Sequence, residues 1–127
     1  MNEQYGEFKE LEHQLLHKKI TSWDKDKLVL NDGTVITIEM SESDCCAYAG
    51  GEFKNVELDA VITDIKIYDK GTEEGWDNTT NYAEVVIFHN QNKIAQADCS
   101  ADDGNGGYYY SVCALRVKGV YYEITRA

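Results

Sequence analysis

The segment KLVLNDGTVITIEM, residues 27–40, constrains the fold more than any other stretch of this sequence. Its two arms are rich in β-branched and aliphatic residues, which favour extended strands. Between the arms, Asp32-Gly33 readily adopts the positive φ angles of a tight hairpin turn. We therefore predict an antiparallel hairpin with strands near residues 27–31 and 34–40.

Strand-like patterns continue along the rest of the chain. The segment ELDAVITDIKIYDK, residues 57–70, alternates so that Val61, Ile65 and Ile67 share one face, which we expect to face the core. The polar, glycine-containing segment GTEEGWDNTT, residues 71–80, predicts an exposed loop. Further strands are predicted from the segments NYAEVVIFHN, KIAQADCSA, YYYSVCALRVK and VYYEITR.

Before these strands, residues 3–19 carry Phe8, Leu11, Leu15 and Leu16 at intervals of three and four, which is typical of an amphipathic helix. The expected fold class is therefore α+β, with an N-terminal amphipathic helix followed by a mainly antiparallel β-sheet or small β-sandwich. A length of 127 residues is enough for one core but short for two, so we expect a single domain over residues 1–127.

The charge of the chain bears on its partners. With 23 acidic and 12 basic residues, the net charge is -11, which disfavours binding to polymeric nucleic acid. No apolar run approaches the ~18 residues of a membrane span, so no membrane association is expected. The start of the sequence, Met1 to Tyr5, has no secretory signal pattern, and a cytosolic location with reduced thiols is predicted.

Four cysteines raise the question of a metal site. Cys45 and Cys46 are adjacent in SESDCCAYAGGEF, residues 41–53, and Cys99 and Cys113 lie far along the chain. Adjacent residues on a strand point to opposite faces, whereas zinc sites usually use separated C-x₂-C ligands. We expect small buried side chains instead of a zinc site or a disulfide, and we expect no metal and no cofactor.

Catalytic signatures are missing from the sequence. His13 and His17 stand four residues apart on the predicted helix, but the glutamate of an H-E-x-x-H motif does not follow His13. The sequence contains no G-x-S-x-G motif, no P-loop and no G-x-G-x-x-G between a strand and a helix. The sequence therefore favours a protein that is not an enzyme.

The segment DDGNGGYYYSV, residues 102–112, suggests ligand binding because its glycines allow N–H groups to converge on an anion and its tyrosines can stack on a base. The alternative is a flexible turn that leads into an aromatic strand. Alternation puts Tyr110 on one face with Arg116 and Tyr109 on the other. The candidate ligand-binding residues, chosen by their chemistry, are Asn105, Gly106, Gly107, Tyr108, Tyr110 and Arg116.

The predicted strand at residues 81–89 is apolar on both faces. Val85 and Ile87 lie on one face, and Val86 and Phe88 lie on the other. Both faces need cover from a helix, a second sheet or another subunit. This pattern leads us to expect a homo-oligomer.

Several of these segments occur in an order that resembles a known family. A helix, LVLNDGTVITIEMSESDCCAYAGGEF, DAVITDI, a polar loop and GNGGYYYSV follow one another over most of residues 8–118. This order resembles small phage proteins with an acidic Cys-Cys loop after an Asp-Gly hairpin, and it is similar to the Thoeris anti-defence protein 1 family.

The resemblance implies a non-catalytic, oligomeric protein that sequesters a cyclic nucleotide. The messenger would be an isomer of cyclic ADP-ribose, kept from its Thoeris effector in the cytoplasm of the infected bacterial host. The acidic balance of the chain opposes binding of an anion and must be overcome locally. Two other functions stay open: a phage accessory protein that binds a host protein, and a nucleotide hydrolase.

Overall fold

The computed structural model describes residues 4–44, 47–104 and 109–127. Among these residues, one short helix and nine strands are formed, and no helix has the length and hydropathy needed to cross a bilayer. The elements in chain order are α1 (Phe8–Leu15), β1 (Ile20–Asp24), β2 (Lys27–Leu30), β3 (Val35–Ser43), β4 (Tyr48–Lys54), β5 (Asp64–Glu74), β6 (Thr79–His89), β7 (Asn92–Asp102), β8 (Ser111–Val117) and β9 (Val120–Arg126).

The strands form two antiparallel sheets around a shared core. The five-stranded sheet has the order β1-β2-β3-β8-β9, and the four-stranded sheet has the order β4-β7-β6-β5. Buried side chains from both sheets, such as Ile36 and Leu115 from the first and Phe53 and Val85 from the second, belong to one hydrophobic cluster. The fold is α+β and dominated by antiparallel sheet.

The predicted Asp-Gly hairpin is confirmed. Strands β2 and β3 pair across it, and Gly33 adopts a φ of 88°. The Leu30 carbonyl accepts a hydrogen bond from the Gly33 N–H at 2.9 Å, and the Asp32 carboxylate accepts one from the Thr34 N–H at 3.0 Å. These local bonds explain why short-range sequence was sufficient to locate this turn.

The helix is shorter than the predicted 3–19. Leu16 leaves the helix with a ψ of 139°, and His17 has a φ of 70°. The His17 N–H then donates to the Ile62 carbonyl at 2.8 Å, and the Ile62 N–H donates to the Lys18 carbonyl at 2.8 Å. Pairing with a distant segment therefore ends the helix, although Lys18 and its neighbours fit a helical pattern.

The region before the helix is extended. Tyr5 forms a parallel bridge with Tyr121, and the Gly6 N–H donates to the Tyr121 carbonyl at 2.8 Å. A Cβ atom on Gly6 would lie 2.5 Å from Cε1 of Tyr122. Glycine therefore allows this segment to approach strand β9 closely, and the predicted helical start near residue 3 was wrong.

Two of the predicted boundaries in the second half of the chain were also wrong. Strand β5 begins at Asp64, seven residues later than predicted, and runs on through residues assigned to the loop at 71–80. Only residues 75–78 connect β5 to β6, and the Gly75 N–H closes this turn on the Asn78 carbonyl at 2.7 Å. The polar composition misled the prediction because residues 68–74 of β5 are exposed on both faces of the strand. Strand β1 was not predicted.

The apolar pattern on both faces of β6 is satisfied largely within one chain. Val85 and Ile87 face the core, and Val86, on the opposite face, is nevertheless 0% exposed. Phe88 is half-buried, and the Lys66 ammonium lies 5.8 Å from the centre of its ring. Val86 therefore supplies no argument for a second subunit.

Candidate functional site

A surface groove of about 500 Å³ lies on the outer face of the four-stranded sheet. Its floor follows the pairing register, in which Gly50 of β4 lies opposite Ser100 of β7, and Ser100 lies opposite Tyr82 of β6. Small residues at the first two positions leave a depression between larger neighbours. The groove is lined by Lys25, Asp26, Tyr48, Gly50, Gly51, Glu52, Lys54, Tyr82, Asp98, Cys99 and Ser100.

Two tyrosine rings border the glycine and serine of the floor. Tyr48 is 67% exposed and Tyr82 is 38% exposed, so both rings offer apolar surface to solvent. A Cβ atom on Gly50 would lie 3.0 Å from the Tyr48 hydroxyl and 3.4 Å from its ring. The Tyr48 ring therefore lies along the strand above a residue that has no side chain. This arrangement provides flat surfaces on which a planar ligand can stack.

The other end of the groove is charged. The Lys54 ammonium lies 2.6 Å from the Asp98 carboxylate, and this hydrogen bond raises the pKa of Lys54. Lys25 lies 3.9 Å from Glu52 and 4.0 Å from Asp26. Both lysines thus have acidic neighbours, and an anionic ligand would have to compete with carboxylates for them.

Below the floor lie two buried thiols. A Cβ atom on Gly51 would lie 2.8 Å from the Cys99 sulfur, and the Cys113 sulfur lies 3.6 Å from the Gly50 carbonyl oxygen. Both thiols are free, and the hydrogen bond between them, together with burial, raises the pKa of Cys99. Both side chains are buried in the core, as expected for small packing groups. Cys45 and Cys46 lie outside the described residues.

The structure gives no metal centre within residues 4–44, 47–104 and 109–127. No group of three or more His, Cys, Asp or Glu side chains in these ranges is arranged to hold an ion. His89 instead lies 2.8 Å from the Val61 carbonyl through its Nδ1 atom. What the described part of the groove offers chemically is stacking, hydrogen bonding and charge pairing.

Four of the six predicted site residues, at positions 105–108, lie outside the described residues: Asn105, Gly106, Gly107 and Tyr108. Tyr110 is exposed, and its hydroxyl donates a hydrogen bond to Glu42 at 3.2 Å. The negative charge of Glu42 raises the pKa of Tyr110.

Arg116 lies elsewhere on the five-stranded sheet. Its guanidinium is 3.8 Å from the Glu39 carboxylate and 5.4 Å from the centre of the Tyr121 ring. Tyr110 and Arg116 are separated by six residues, about 20 Å along an extended strand. The structure therefore does not bring these two predicted residues together, and neither lines the groove.

Glu42 is held by two tyrosines. Besides Tyr110, the Tyr5 hydroxyl lies 2.7 Å from Glu42 and 2.7 Å from the Ser41 hydroxyl. Burial and the neighbouring Glu42 carboxylate raise the pKa of Tyr5 to about 12, although the hydrogen bond with Ser41 acts in the opposite direction. Tyr5 therefore stays protonated, and these contacts attach the segment before the helix to the sheet.

Sequence reasoning missed the groove residues. The segment SESDCCAYAGGEF contains Tyr48, Gly50 and Gly51, but the sequence-based hypotheses for it concerned only its cysteines. A tyrosine two residues before a glycine on a strand was the available signal, because such residues share a face. The second ring, Tyr82, comes from a strand whose register the sequence does not reveal.

Comparison with known proteins identifies a family whose function is unknown. Residues 13–115 match the model of a family described as a domain of unknown function (DUF7448). No curated protein and no solved structure matches the chain. Because the match covers well over half of the sequence, the chain belongs to the DUF7448 family.

Proposed function

We propose that this protein is a non-catalytic binding protein that sequesters a cyclic nucleotide of the cyclic ADP-ribose type in the groove. The observation that carries the proposal is the pair of exposed rings on one face of the sheet, Tyr48 above Gly50 and Tyr82 beside Ser100. The proposal includes the biological setting implied by the family resemblance: a phage protein in the cytoplasm of an infected bacterium that withholds the messenger from its Thoeris effector.

The dimensions and lining of the groove support a ligand of nucleotide size. Its volume of about 500 Å³ falls within the range of small-molecule sites. Stacking of a base on an aromatic ring contributes ~1–3 kcal/mol and requires no particular base edge. Tyr48 or Tyr82 would stack on the base, and the Ser100 hydroxyl, which is half-buried, is available to a ribose or an amide.

The groove lining supplies two cations, Lys25 and Lys54, but its three carboxylates, Asp26, Glu52 and Asp98, leave it without a net positive charge. Lys54 is held at 2.6 Å from Asp98, and a phosphate entering the groove would share or displace this partner. A hydrogen bond from Lys54 to a phosphate would be favourable, but solvent screens this exposed lysine and the loss of the Asp98 contact reduces the net gain. Binding should therefore depend more on stacking than on charge, and it should weaken only moderately with added salt.

Calorimetric titration with cyclic ADP-ribose isomers tests this proposal. The parent should bind one isomer, and heating the complex should release that isomer intact, because a binding protein leaves it unchanged. Tyr48→Ala and Tyr82→Ala should each weaken binding by roughly five- to a hundredfold, which corresponds to the loss of one stacking contact.

Matched controls come from the residues that sequence alone selected. Tyr110→Ala and Arg116→Ala remove a tyrosine and a cation outside the groove, and both should bind as the parent does. Failure of the parent to bind any isomer would refute the proposed function. Normal binding by both groove variants, with loss in the Tyr110 or Arg116 variant, would refute the site. Release of hydrolysed products would indicate an enzyme.

One observation favours a second candidate function, binding to a host protein. Trp76 is 98% exposed in the β5–β6 turn, although that turn is fixed by hydrogen bonds from Gly75 to Asn78 and from Asn78 to Asp102. A large apolar side chain held out on an ordered turn is typical of an interface anchor. A photo-crosslinking residue at position 76 should capture one host protein, and a crosslinker at exposed Leu58 should not. The purified partner must then bind the parent and lose affinity for Trp76→Ala.

A further inference from the structure

Strand β5 is the outer strand of the four-stranded sheet and pairs only with β6 among the described strands. Such an edge presents unpaired backbone groups to which another strand can bind. Its first part, which begins at Asp64, pairs with β6 in regular register, and a bulge interrupts the strand between Asp69 and Gly71. The regular stretch extends to Asp69 and is therefore six residues long.

A depression of about 440 Å³ lies between helix α1 and this regular stretch. Phe8 on the helix is 38% exposed, Tyr68 on the strand is 40% exposed, and Ile67 is half-buried. These apolar side chains lie beside the edge of β5, where the Ile65 N–H donates to the Asp64 carboxylate at 2.8 Å. An added strand would replace this contact, pair with β5 and cover the apolar side chains. The helix residue Phe8 would then contact the added strand.

The charges of β5 show how a second copy can fit this edge. When two copies of one strand pair antiparallel, a twofold axis perpendicular to the sheet relates them. This axis passes beside one residue, which then lies opposite the same residue of the second copy. An axis at Lys66 puts Lys66 opposite Lys66 of the second copy, and an axis at Tyr68 puts Lys66 opposite Lys70. Like charges directly opposite each other destabilise a strand pair.

An axis at Ile67 removes both conflicts. It puts Ile67 opposite itself and Lys66 opposite Tyr68 of the second copy, and this last pair occurs twice. A lysine ammonium over a tyrosine ring is attractive. Ile65 then lies opposite Asp69, the last residue before the bulge, so the bulge residue Lys70 stays outside the regular pairs.

We propose that two copies of this chain dimerise by antiparallel pairing of β5, with the twofold axis at Ile67 and Lys66 of each copy against Tyr68 of the other. The two four-stranded sheets join into one continuous sheet of eight strands. The groove with Tyr48 and Tyr82 lies on the face of the sheet and not on this edge, so ligand uptake and dimerisation are separate properties.

Substitutions at Tyr68 test both the interface and its register. Sedimentation equilibrium should give a dimer for the parent at micromolar concentration. Tyr68→Lys places a lysine opposite Lys66 of the second copy, and it should raise the dimer dissociation constant roughly tenfold or more. Tyr68→Glu removes the same ring but supplies an opposite charge, so it should dimerise at least as well as the parent.

A double variant that restores charge attraction across the interface gives the decisive result. In Lys66→Glu/Tyr68→Lys the opposed charges are attractive again, and the dissociation constant should return to within about threefold of the parent value. Because Glu84 lies opposite Tyr68 within the chain, thermal melts should accompany each variant to show that the monomer is folded. A parent that is monomeric at about 100 µM, or equal dissociation constants for Tyr68→Lys and Tyr68→Glu, would overturn the proposal.

Discussion

The backbone N–H of Asp44 donates a 2.9 Å hydrogen bond to the carbonyl oxygen of Tyr110. Asp44 immediately precedes Cys45 and Cys46, and Tyr110 follows the glycine-rich segment by a few residues. At one end of the five-stranded sheet, the Cys-Cys segment therefore begins beside the point where the glycine-rich segment ends. Strand β4, which contributes Tyr48 and Gly50 to the groove, begins at the same end.

The glycine pair of β4 gives the most direct test of the groove floor. A Cβ atom on Gly51 would lie 2.5 Å from the Asp98 carbonyl and 2.8 Å from the Cys99 sulfur. Since backbone atoms cannot move aside freely, Gly51→Ala should lower the free energy of unfolding by ~1–3 kcal/mol. Chemical denaturation checks this value.

Gly50→Ala is the matched control. Its Cβ atom would meet the Tyr48 hydroxyl at 3.0 Å, and this exposed side chain can swing away. Stability should change by less than about 1 kcal/mol, whereas ligand binding should weaken because the ring is displaced. Equal losses of stability in both variants would contradict the described packing of β4.

Asp32 should make the hairpin sensitive to acid. Hydrogen bonds from Lys18 and Thr34 hold the pKa of Asp32 well below its usual value, and the Lys18 ammonium lies 2.7 Å away. Because the folded-state pKa is lowered, the stabilisation is complete above about pH 4 and is lost as the pH falls further.

We expect Asp32→Asn to cost about 1 kcal/mol at pH 7, a modest value because 39% of the Asp32 side chain is exposed to solvent. The difference between variant and parent should diminish below pH ~4, because Asp32 then binds a proton in the unfolded parent but not yet in the folded one. Urea denaturation at several pH values measures it. A difference that is constant down to pH ~2 would show that charge on Asp32 is not the cause.

Tyr5 should make the fold sensitive to alkali. The neutral hydroxyl contacts Ser41 and Glu42, and burial is the main reason that the pKa rises from 10.0 to about 12. A raised folded-state pKa means that this stabilisation is complete below pH ~10 and is lost as the pH approaches ~12.

Tyr5→Phe should therefore lower the free energy of unfolding by about 1 kcal/mol at pH 8, with a smaller difference at higher pH. Ultraviolet titration should also show that the variant lacks one late-titrating tyrosine. An unchanged titration curve would mean that another tyrosine accounts for the late ionisation, and it would contradict the described environment of Tyr5.

Cys99 and Cys113 should react slowly in the folded protein. Both sulfurs are buried, and their mutual hydrogen bond disfavours the thiolate of Cys99, which is the nucleophilic form. Peptide mass mapping after treatment with a maleimide should find both unmodified in the native state and both modified after denaturation. Modification of folded Cys99 as fast as a free thiol would show that the groove floor opens.

Elements set by local hydrogen bonds could be predicted from the sequence, whereas elements set by distant residues could not. The Asp32-Gly33 turn was predictable because its hydrogen bonds join residues within five positions of one another. The end of the helix was not, because it is set by pairing of His17 and Lys18 with Ile62. Helical periodicity contains no information about such a remote partner.

The candidate site was less predictable than the fold for a similar reason. Tyr48, Ser100 and Tyr82 meet only because β4, β7 and β6 pair in one register. Each of these residues is unremarkable within its own segment. The glycine-rich segment drew attention because its signal is local, whereas a groove on a sheet is assembled from side chains that are far apart in sequence.

The strand order of the five-stranded sheet affects how the protein can fold while it is being synthesised. Strand β3 pairs with β8, so that Ile36 meets Val117, while the whole four-stranded sheet is encoded between them. During translation, β3 has no partner for the edge that later pairs with β8 until almost the entire chain has emerged. Such long sequence separation slows folding, and the exposed edge of β3 makes the nascent chain vulnerable to aggregation.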